Sequence, residues 1–171
     1  GRVLDTLKEL GIAERTLVVF TSDNGPHNEG GHSVTRFNSS GGFQGYKRSL
    51  HEGGIRIPFV AWQPGTIAAG RCSDHLGYFP DLMPTVCDVA GAECPDSDGL
   101  SLVPMLTGDH QRQRNHEYLY FEFQKQTAVR KGEWKYFRAD CGEAPFCLDT
   151  TGDEEALFNL ATDKHEDRDV K

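Results

Sequence analysis

The residues best suited to chemistry follow a short apolar run at Leu17–Phe20, which ends in the string T-S-D-N-G-P. A continuous apolar run of this length is typical of a buried β-strand. In open α/β sheets, ligands bind beyond the carboxyl ends of the strands. Asp23 offers a carboxylate and Asn24 an amide carbonyl at that position. Both are hard oxygen ligands, which predicts a site for Ca²⁺ or Mg²⁺ rather than for a thiolate-bound metal.

The two side chains can share one ion only if the backbone turns between them. Neighbouring side chains on a regular strand point to opposite faces of the sheet. Gly25 follows directly and permits a turn at this point. The alternative interpretation of Asp23-Asn24-Gly25 is an Asx turn that closes the strand and binds no metal.

A second motif follows a long glycine-rich loop. Six glycines lie between Asn24 and Lys47, and loops of this length are usually functional or disordered. Lys47 belongs to the string G-Y-K-R-S-L-H-E-G-G-I-R-I-P, which leads into the apolar run Phe59–Trp62. In order and spacing, T-S-D-N-G and this second string resemble the C-terminal half of the sulfatase catalytic domain. The likeness is to the arylsulfatase-type enzymes, whose first motif continues as D-N-G-P-H.

The resemblance implies a fold and a set of roles. The expected fold is α/β, as part of an alkaline-phosphatase-like α/β/α sandwich with a small antiparallel sheet at the C-terminus. Asp23 and Asn24 match the family's second pair of divalent-cation ligands, usually for Ca²⁺, with Mg²⁺ as the other option. Lys47 matches the catalytic lysine that contacts the sulfate oxygens, and His27 lies where a substrate-binding residue is often found.

The implied chemistry agrees with these residue types. A sulfate ester spreads negative charge over its non-bridging oxygens as the S–O bond breaks, and a cation and a lysine aimed at those oxygens stabilise that charge. The charged residues Arg48, Glu52 and Arg56 are predicted to form ion pairs around the turn rather than to take part in catalysis. His51 is predicted to pack or to hydrogen-bond locally.

The resemblance also implies a nucleophile that is not in this sequence. Sulfatases use a formylglycine made from the first residue of a C/S-x-P/A-x-R motif, which precedes the D-N-G strand, and none of the five cysteines begins such a motif. Ca²⁺ also takes roughly six to eight oxygen ligands, more than this loop offers. We therefore expect a fragment of a longer enzyme that is inactive alone.

Two alternatives share part of this pattern. A phosphatase or phosphonate hydrolase of the same superfamily would share the metal ligands at the strand end, although the lysine-containing string favours a sulfatase. A non-catalytic protein would keep the sheet edge only to bind an anion or a sugar. The implied substrate of the enzyme is a sulfated small molecule or a sulfated carbohydrate, and the sequence specifies neither the particular ester nor an oligomeric state.

The remaining chain predicts two domains, at residues 1–110 and 111–171, because the composition becomes polar near residue 110. In the first, a helix ending at Gly11 should pack on the sheet, and Asp81 should cap a helix at Leu82–Ala90. In the second, Lys131-Gly132 should form the tight turn of a β-hairpin.

Composition bears on partners and compartment. The formal net charge of −8 argues against nucleic acid as a partner, while the candidate site region is the least acidic part of the chain. No run is long and apolar enough to span a membrane. Cys141 and Cys147 bracket a short loop that could close as a disulfide if the compartment is oxidising, and five reduced cysteines in a cytosolic protein are an equally simple alternative. An oxidising compartment agrees with the exported location, periplasmic, secreted or lysosomal, that the family resemblance implies.

Overall fold

The computed structural model describes residues 1–140 and 153–171. Helices and strands are mixed, so the chain is of the α/β class. The α-helices of the described residues are α1 (Arg2–Glu9), α2 (Val34–Phe37), α3 (Glu52–Ile55), α4 (Leu82–Ala90) and α5 (Val103–Thr107). The strands in the same ranges are β1 (Val18–Thr21), β2 (Phe59–Trp62), β3 (Leu119–Phe123), β4 (Gln126–Lys131), β5 (Trp134–Asp140) and β6 (Asp153–Asn159).

Contacts divide the chain into two compact units. One consists of Gly1–Thr21 and Pro58–His116, and the other of Ser22–Ile57 and Glu117–Lys171. The loop with the candidate site therefore shares a unit with the C-terminal sheet. The two domains at residues 1–110 and 111–171 stay a prediction, because these units describe contacts within this chain alone. Cys141 and Cys147 lie outside the described residues. No helix in the described ranges reaches the length and apolarity that a membrane span requires.

In the first unit, the strand before the candidate site differs from its expected form. β1 pairs antiparallel with β2, with Val18 opposite Trp62 and Thr21 opposite Phe59, and these two strands make the whole sheet within the described residues. Phe20 is 67% exposed. The expectation of a buried strand is wrong for this chain, because within the described residues β1 has a single neighbouring strand and the Phe20 side chain stays exposed.

The helices of this unit lie where they were expected. α1 ends in a left-handed turn at Gly11, but none of its residues is buried, so the expected packing on the sheet is not observed. α4 begins at Leu82 as predicted. Asp81 precedes it, but its side chain does not cap the helix.

Asp81 is fully buried and its carboxylate accepts other hydrogen bonds. Oδ2 accepts from the Tyr78 backbone N–H at 2.9 Å, and Oδ1 accepts from the Leu100 N–H at 2.7 Å. His116 Nε2 lies 2.8 Å from the same Oδ1. The capping prediction is wrong because a 3₁₀ turn at Phe79–Asp81 leads into α4 and points the carboxylate away from the first helical turn.

The second unit has a four-stranded antiparallel sheet in the order β3-β4-β5-β6. Alternate residues of β5 face inward, with Lys135, Phe137 and Ala139 all fully buried. The hairpin between β4 and β5 forms as predicted, but its turn lies one residue later, because Lys131 pairs with Trp134. The turn residues are therefore Gly132 and Glu133, and a φ of 58° at Gly132 suits the tight turns that join antiparallel strands.

Candidate functional site

Two backbone hydrogen bonds join the D-N-G-P segment to the lysine-containing segment. The Gly25 N–H donates to the Gly54 carbonyl at 2.8 Å, and the Lys47 N–H donates to the Pro26 carbonyl at 2.8 Å. These bonds fix the start of the loop against residues more than twenty positions away in the chain. Asp23 and Asn24 directly precede the first of these donors in the chain.

Glycines make this close approach possible. A Cβ atom on Gly25 would lie 1.9 Å from the Gly53 carbonyl oxygen, and one on Gly53 would lie 2.2 Å from the Gly45 carbonyl oxygen. A Cβ on Gly54 would lie 2.0 Å from the carbonyl oxygen of Ser49. Real Cβ atoms do not come this close to backbone atoms. The E-G-G string is thus required by the space between backbone segments, and Gly25 is required for the same reason.

Replacing Gly25 by alanine should separate the two segments. The new methyl group overlaps backbone atoms, which cannot rotate away as a flexible side chain would, so we expect a loss of about 1–3 kcal/mol in the free energy of unfolding. The measurement is urea unfolding of the Gly25→Ala variant. Gly11→Ala is the matched control, because a Cβ there meets no atom within 4 Å and only its positive φ opposes it. Equal losses in the two variants would contradict the close-packing explanation.

The two predicted cation ligands fit a hard metal ion in part. Asp23 is exposed, and Asn24 is half-buried. The Asn24 side-chain nitrogen donates to the Gly25 carbonyl at 2.8 Å, which leaves the amide oxygen as the atom that could ligate a cation. Within residues 1–140 and 153–171, no group of three or more His, Cys, Asp or Glu side chains is placed to hold a metal ion. A Ca²⁺ bound by this pair would need most of its roughly six to eight oxygens from elsewhere.

His27 lies on the exposed loop that follows this pair. Its Nδ1 accepts a hydrogen bond from the Glu29 N–H at 3.3 Å, and its ring meets the His32 ring edge to face at 4.8 Å between centroids. Lys47 is half-buried. The structure therefore brings the backbone around Lys47 to the D-N-G-P turn, and it leaves His27 exposed on the loop that continues from that turn.

The predicted ion pairs form, with partners that the sequence did not reveal. Arg56 Nη1 lies 3.5 Å from Glu52 Oε2, as expected for an ion pair within the motif. Arg48 instead pairs with Glu29, which lies near the start of the glycine-rich loop. His51 is completely buried, and its ring stacks on Phe137 with 4.2 Å between centroids. The predicted ion pairing of Arg48, Glu52 and Arg56 and the predicted packing of His51 are confirmed.

A buried ionic cluster beneath the motif was missed by the sequence analysis. The Lys135 ammonium, fully buried in β5, lies 3.1 Å from Glu52 Oε1 and 2.8 Å from Glu166 Oε1. Glu166 Oε2 accepts a 2.6 Å hydrogen bond from the Glu52 backbone N–H. Arg130 Nη1 approaches the other oxygen of Glu52 at 3.6 Å. Strand β5 and the C-terminal segment thus hold the first turn of α3 through charge-assisted contacts.

The surroundings of Glu166 favour its ionised form. Burial by itself pushes the pKa of Glu166 upward, but the hydrogen bond with His51, the charge of Lys135 and the Glu52 N–H together hold that pKa below its ordinary value. Glu166 therefore stays ionised beside Lys135 at neutral pH. A signal for Lys135 existed in the sequence, since it takes the same face of β5 as Phe137, two residues on. The charged segment around Glu166 carried no such signal.

Fold and site together define a class of protein. Solved sulfatase structures share this α/β fold across nearly the whole chain, which places it in the alkaline-phosphatase-like class. The sulfatase family model matches residues 1–92, more than half of the chain, so the chain belongs to the sulfatase family.

Individual relatives agree with this assignment. Over 125 residues the chain is 43% identical to steryl-sulfatase of Mus musculus, which covers 70% of this chain and 20% of that protein. Over 172 residues it is 34% identical to arylsulfatase A of Homo sapiens, which covers 97% of this chain and 33% of that protein. The PsFucS1 sulfatase from Pseudoalteromonas sp. has a similar structure, with a TM-score of 0.77 and 27% identity over 99% of this chain and 36% of its own. The chain thus spans about a fifth to a third of the curated relatives it matches.

Proposed function

We propose that this chain forms part of the active site of a sulfuric ester hydrolase of the arylsulfatase type. The observation that carries the proposal is the pair of backbone hydrogen bonds from Gly25 to Gly54 and from Lys47 to Pro26. They join the segment that carries the oxygen ligands to the segment that carries the lysine, and this supports the proposal that both act on a single sulfate group. Membership of the sulfatase family supports the same reaction.

Each candidate residue has a proposed role. Asp23 and Asn24 supply two oxygen ligands to a divalent cation, Ca²⁺ by preference and Mg²⁺ as the alternative. When bound, that cation neutralises negative charge on the sulfate. Lys47 places a positive charge against the sulfate oxygens in the transition state. His27, exposed on the neighbouring loop, contacts the rest of the substrate.

The nucleophile would have to come from outside these residues. None of the five cysteines begins a C-x-P/A-x-R motif from which a formylglycine is made. We therefore propose that the chain is inactive by itself and acts in a longer enzyme. The expected substrate is a sulfated small molecule or a sulfated carbohydrate. We also propose that the longer enzyme is exported. A phosphatase on the same scaffold is disfavoured by the family match.

The calcium site can be tested through Asp23. In the complete enzyme, carrying its formylglycine, Asp23→Ala should raise the Ca²⁺ concentration needed for half-maximal hydrolysis of an aryl sulfate at least about tenfold, because a charged ligand is lost. Calcium binding by calorimetry should weaken in parallel. Asp5→Ala is the control, because Asp5 is an exposed residue of α1 that is remote in sequence from the motif.

Two results would overturn parts of the proposal. An unchanged calcium requirement in Asp23→Ala would remove Asp23 from the metal site. Hydrolysis of an aryl phosphate in preference to the aryl sulfate by the unmodified enzyme would favour the phosphatase alternative. Activity of the isolated 171-residue chain would mean that the nucleophile lies within it.

A further inference from the structure

A buried glutamine on the C-terminal sheet forms hydrogen bonds with the backbone next to Lys47. Gln126 begins strand β4 and is 3% exposed. Its side-chain nitrogen donates to the Arg48 carbonyl at 2.9 Å, and its side-chain oxygen accepts from the Leu50 N–H at 3.1 Å. One amide group therefore satisfies a donor and an acceptor on the two sides of Ser49.

The backbone that Gln126 holds is in an unusual conformation. Arg48 has a φ of 81°, in the left-handed region that a residue with a side chain rarely adopts. Such a conformation persists only when its surroundings determine it, and such residues cluster at functional sites. The contact from Gln126 to the Arg48 carbonyl is one such constraint. The other lies on the opposite side, where the Lys47 N–H bonds to the Pro26 carbonyl.

We propose that Gln126 is a positioning residue for Lys47. The backbone at Lys47 is held on both sides. The Lys47 N–H bonds to the Pro26 carbonyl, and the carbonyl of the next residue, Arg48, accepts from the Gln126 amide. Gln126 is anchored in turn by the sheet, where it pairs with Phe123 on one side and Ala139 on the other. Displacing a charged group by about 1 Å at a reacting centre can reduce the rate on the order of a hundredfold. This inference rests on the sulfate-binding role proposed for Lys47.

A purely structural role for Gln126 is the alternative, and the chain contains a matched control. Gln113 is also buried, and its side chain likewise bridges backbone groups, accepting from the Met105 N–H at 2.9 Å and donating to the Ser101 carbonyl at 3.1 Å. It lies in the other compact unit. A substitution at Gln113 should disturb the fold in a similar way, without any link to Lys47.

The test is a double-mutant cycle in the complete enzyme. Gln126→Glu keeps the acceptor for the Leu50 N–H but turns a carboxylate oxygen toward the Arg48 carbonyl. We expect it to lower kcat/KM for an aryl sulfate about 10- to 100-fold. The inhibition constant of inorganic sulfate should rise along with this loss. In a Lys47→Ala background, the same substitution should lower kcat/KM by less than about threefold, because coupled residues are not additive. Gln113→Glu should have the same effect in both backgrounds.

Each outcome has a separate meaning. Equal effects of Gln126→Glu with and without Lys47 would overturn the positioning role while leaving the proposed function in place. An unaffected rate in Lys47→Ala alone would contradict the proposed function instead. Gln126→Met, which keeps the volume without polar groups, serves if the glutamate variant does not fold. Unfolding of both variants at the assay temperature would assign Gln126 to the fold alone and overturn the proposal.

Discussion

Replacing Lys47 by alanine is expected to lower kcat/KM for an aryl sulfate by about 10²–10³-fold in the complete enzyme, the usual effect of removing one group that stabilises transition-state charge. The loss should fall mainly on kcat, because the sulfate oxygens gain charge as the S–O bond breaks. The Lys47 backbone bond to Pro26 does not depend on the side chain, so the variant should keep the fold of the loop. Steady-state kinetics measure both parameters.

The control for this substitution is Lys125→Ala. Lys125 is an exposed lysine of the same compact unit, at the turn between β3 and β4. Its loss changes the net charge equally and should leave kcat/KM within about twofold, because exposed charges are screened by solvent and salt. A Lys47→Ala enzyme with the activity of the Lys125→Ala enzyme would remove Lys47 from the site.

Replacing Lys135 by methionine is expected to destabilise the protein by about 3–5 kcal/mol, because it leaves buried carboxylates without their cation. Glu52 and Glu166 both contact this ammonium, and all three side chains are at least 97% buried. Because Glu52 begins α3 and α3 carries the two glycines of the motif, activity should fall along with stability. Urea unfolding followed by fluorescence of Trp134, the first residue of β5, measures the effect.

A surface pair provides the comparison. Lys131 lies 3.1 Å from Glu117, and both side chains are more than 60% exposed. Lys131→Met should therefore change stability little, since exposed pairs contribute little. Adding Glu166→Gln to Lys135→Met should restore part of the lost free energy of unfolding, because one of the two buried carboxylates left without a cation is then neutral. If Lys135→Met proved as mild as Lys131→Met, the buried cluster would not support the motif as inferred.

The C-terminal sheet emerges as a support for the site loop within the second compact unit. Lys135 of β5 and Glu166 hold the start of α3, and Gln126 of β4 holds the backbone after Lys47. Leu50, whose N–H also bonds to Gln126, belongs to the apolar core that the sheet builds. Substitutions on the inner face of the sheet should therefore reach the site through these contacts.

Local elements of this chain were predictable because local pattern and turn chemistry decide them. α4 spans Leu82–Ala90 as predicted, and the hairpin around Gly132 forms within one residue of its expected position. The candidate residues Asp23, Asn24 and Lys47 were recognised from motif order alone, and backbone bonds from Gly25 to Gly54 and from Lys47 to Pro26 join the two segments that carry them. Their chemical roles remain predictions.

Tertiary structure decided what depends on residues far apart in the chain. Asp81 was expected to cap a helix, but the Leu100 N–H and His116 compete for its carboxylate, and no local pattern reveals such partners. Phe20 of β1 is exposed because burial depends on which elements cover a strand, not on its own apolar residues. The sequence by itself determined the family, the candidate residues and most helix and turn positions. Only the folded chain determined that Gly25 must lie against Gly53, and that Lys135 and Gln126 support the motif, because backbone clearance and the pairing of buried charges are set by three-dimensional proximity.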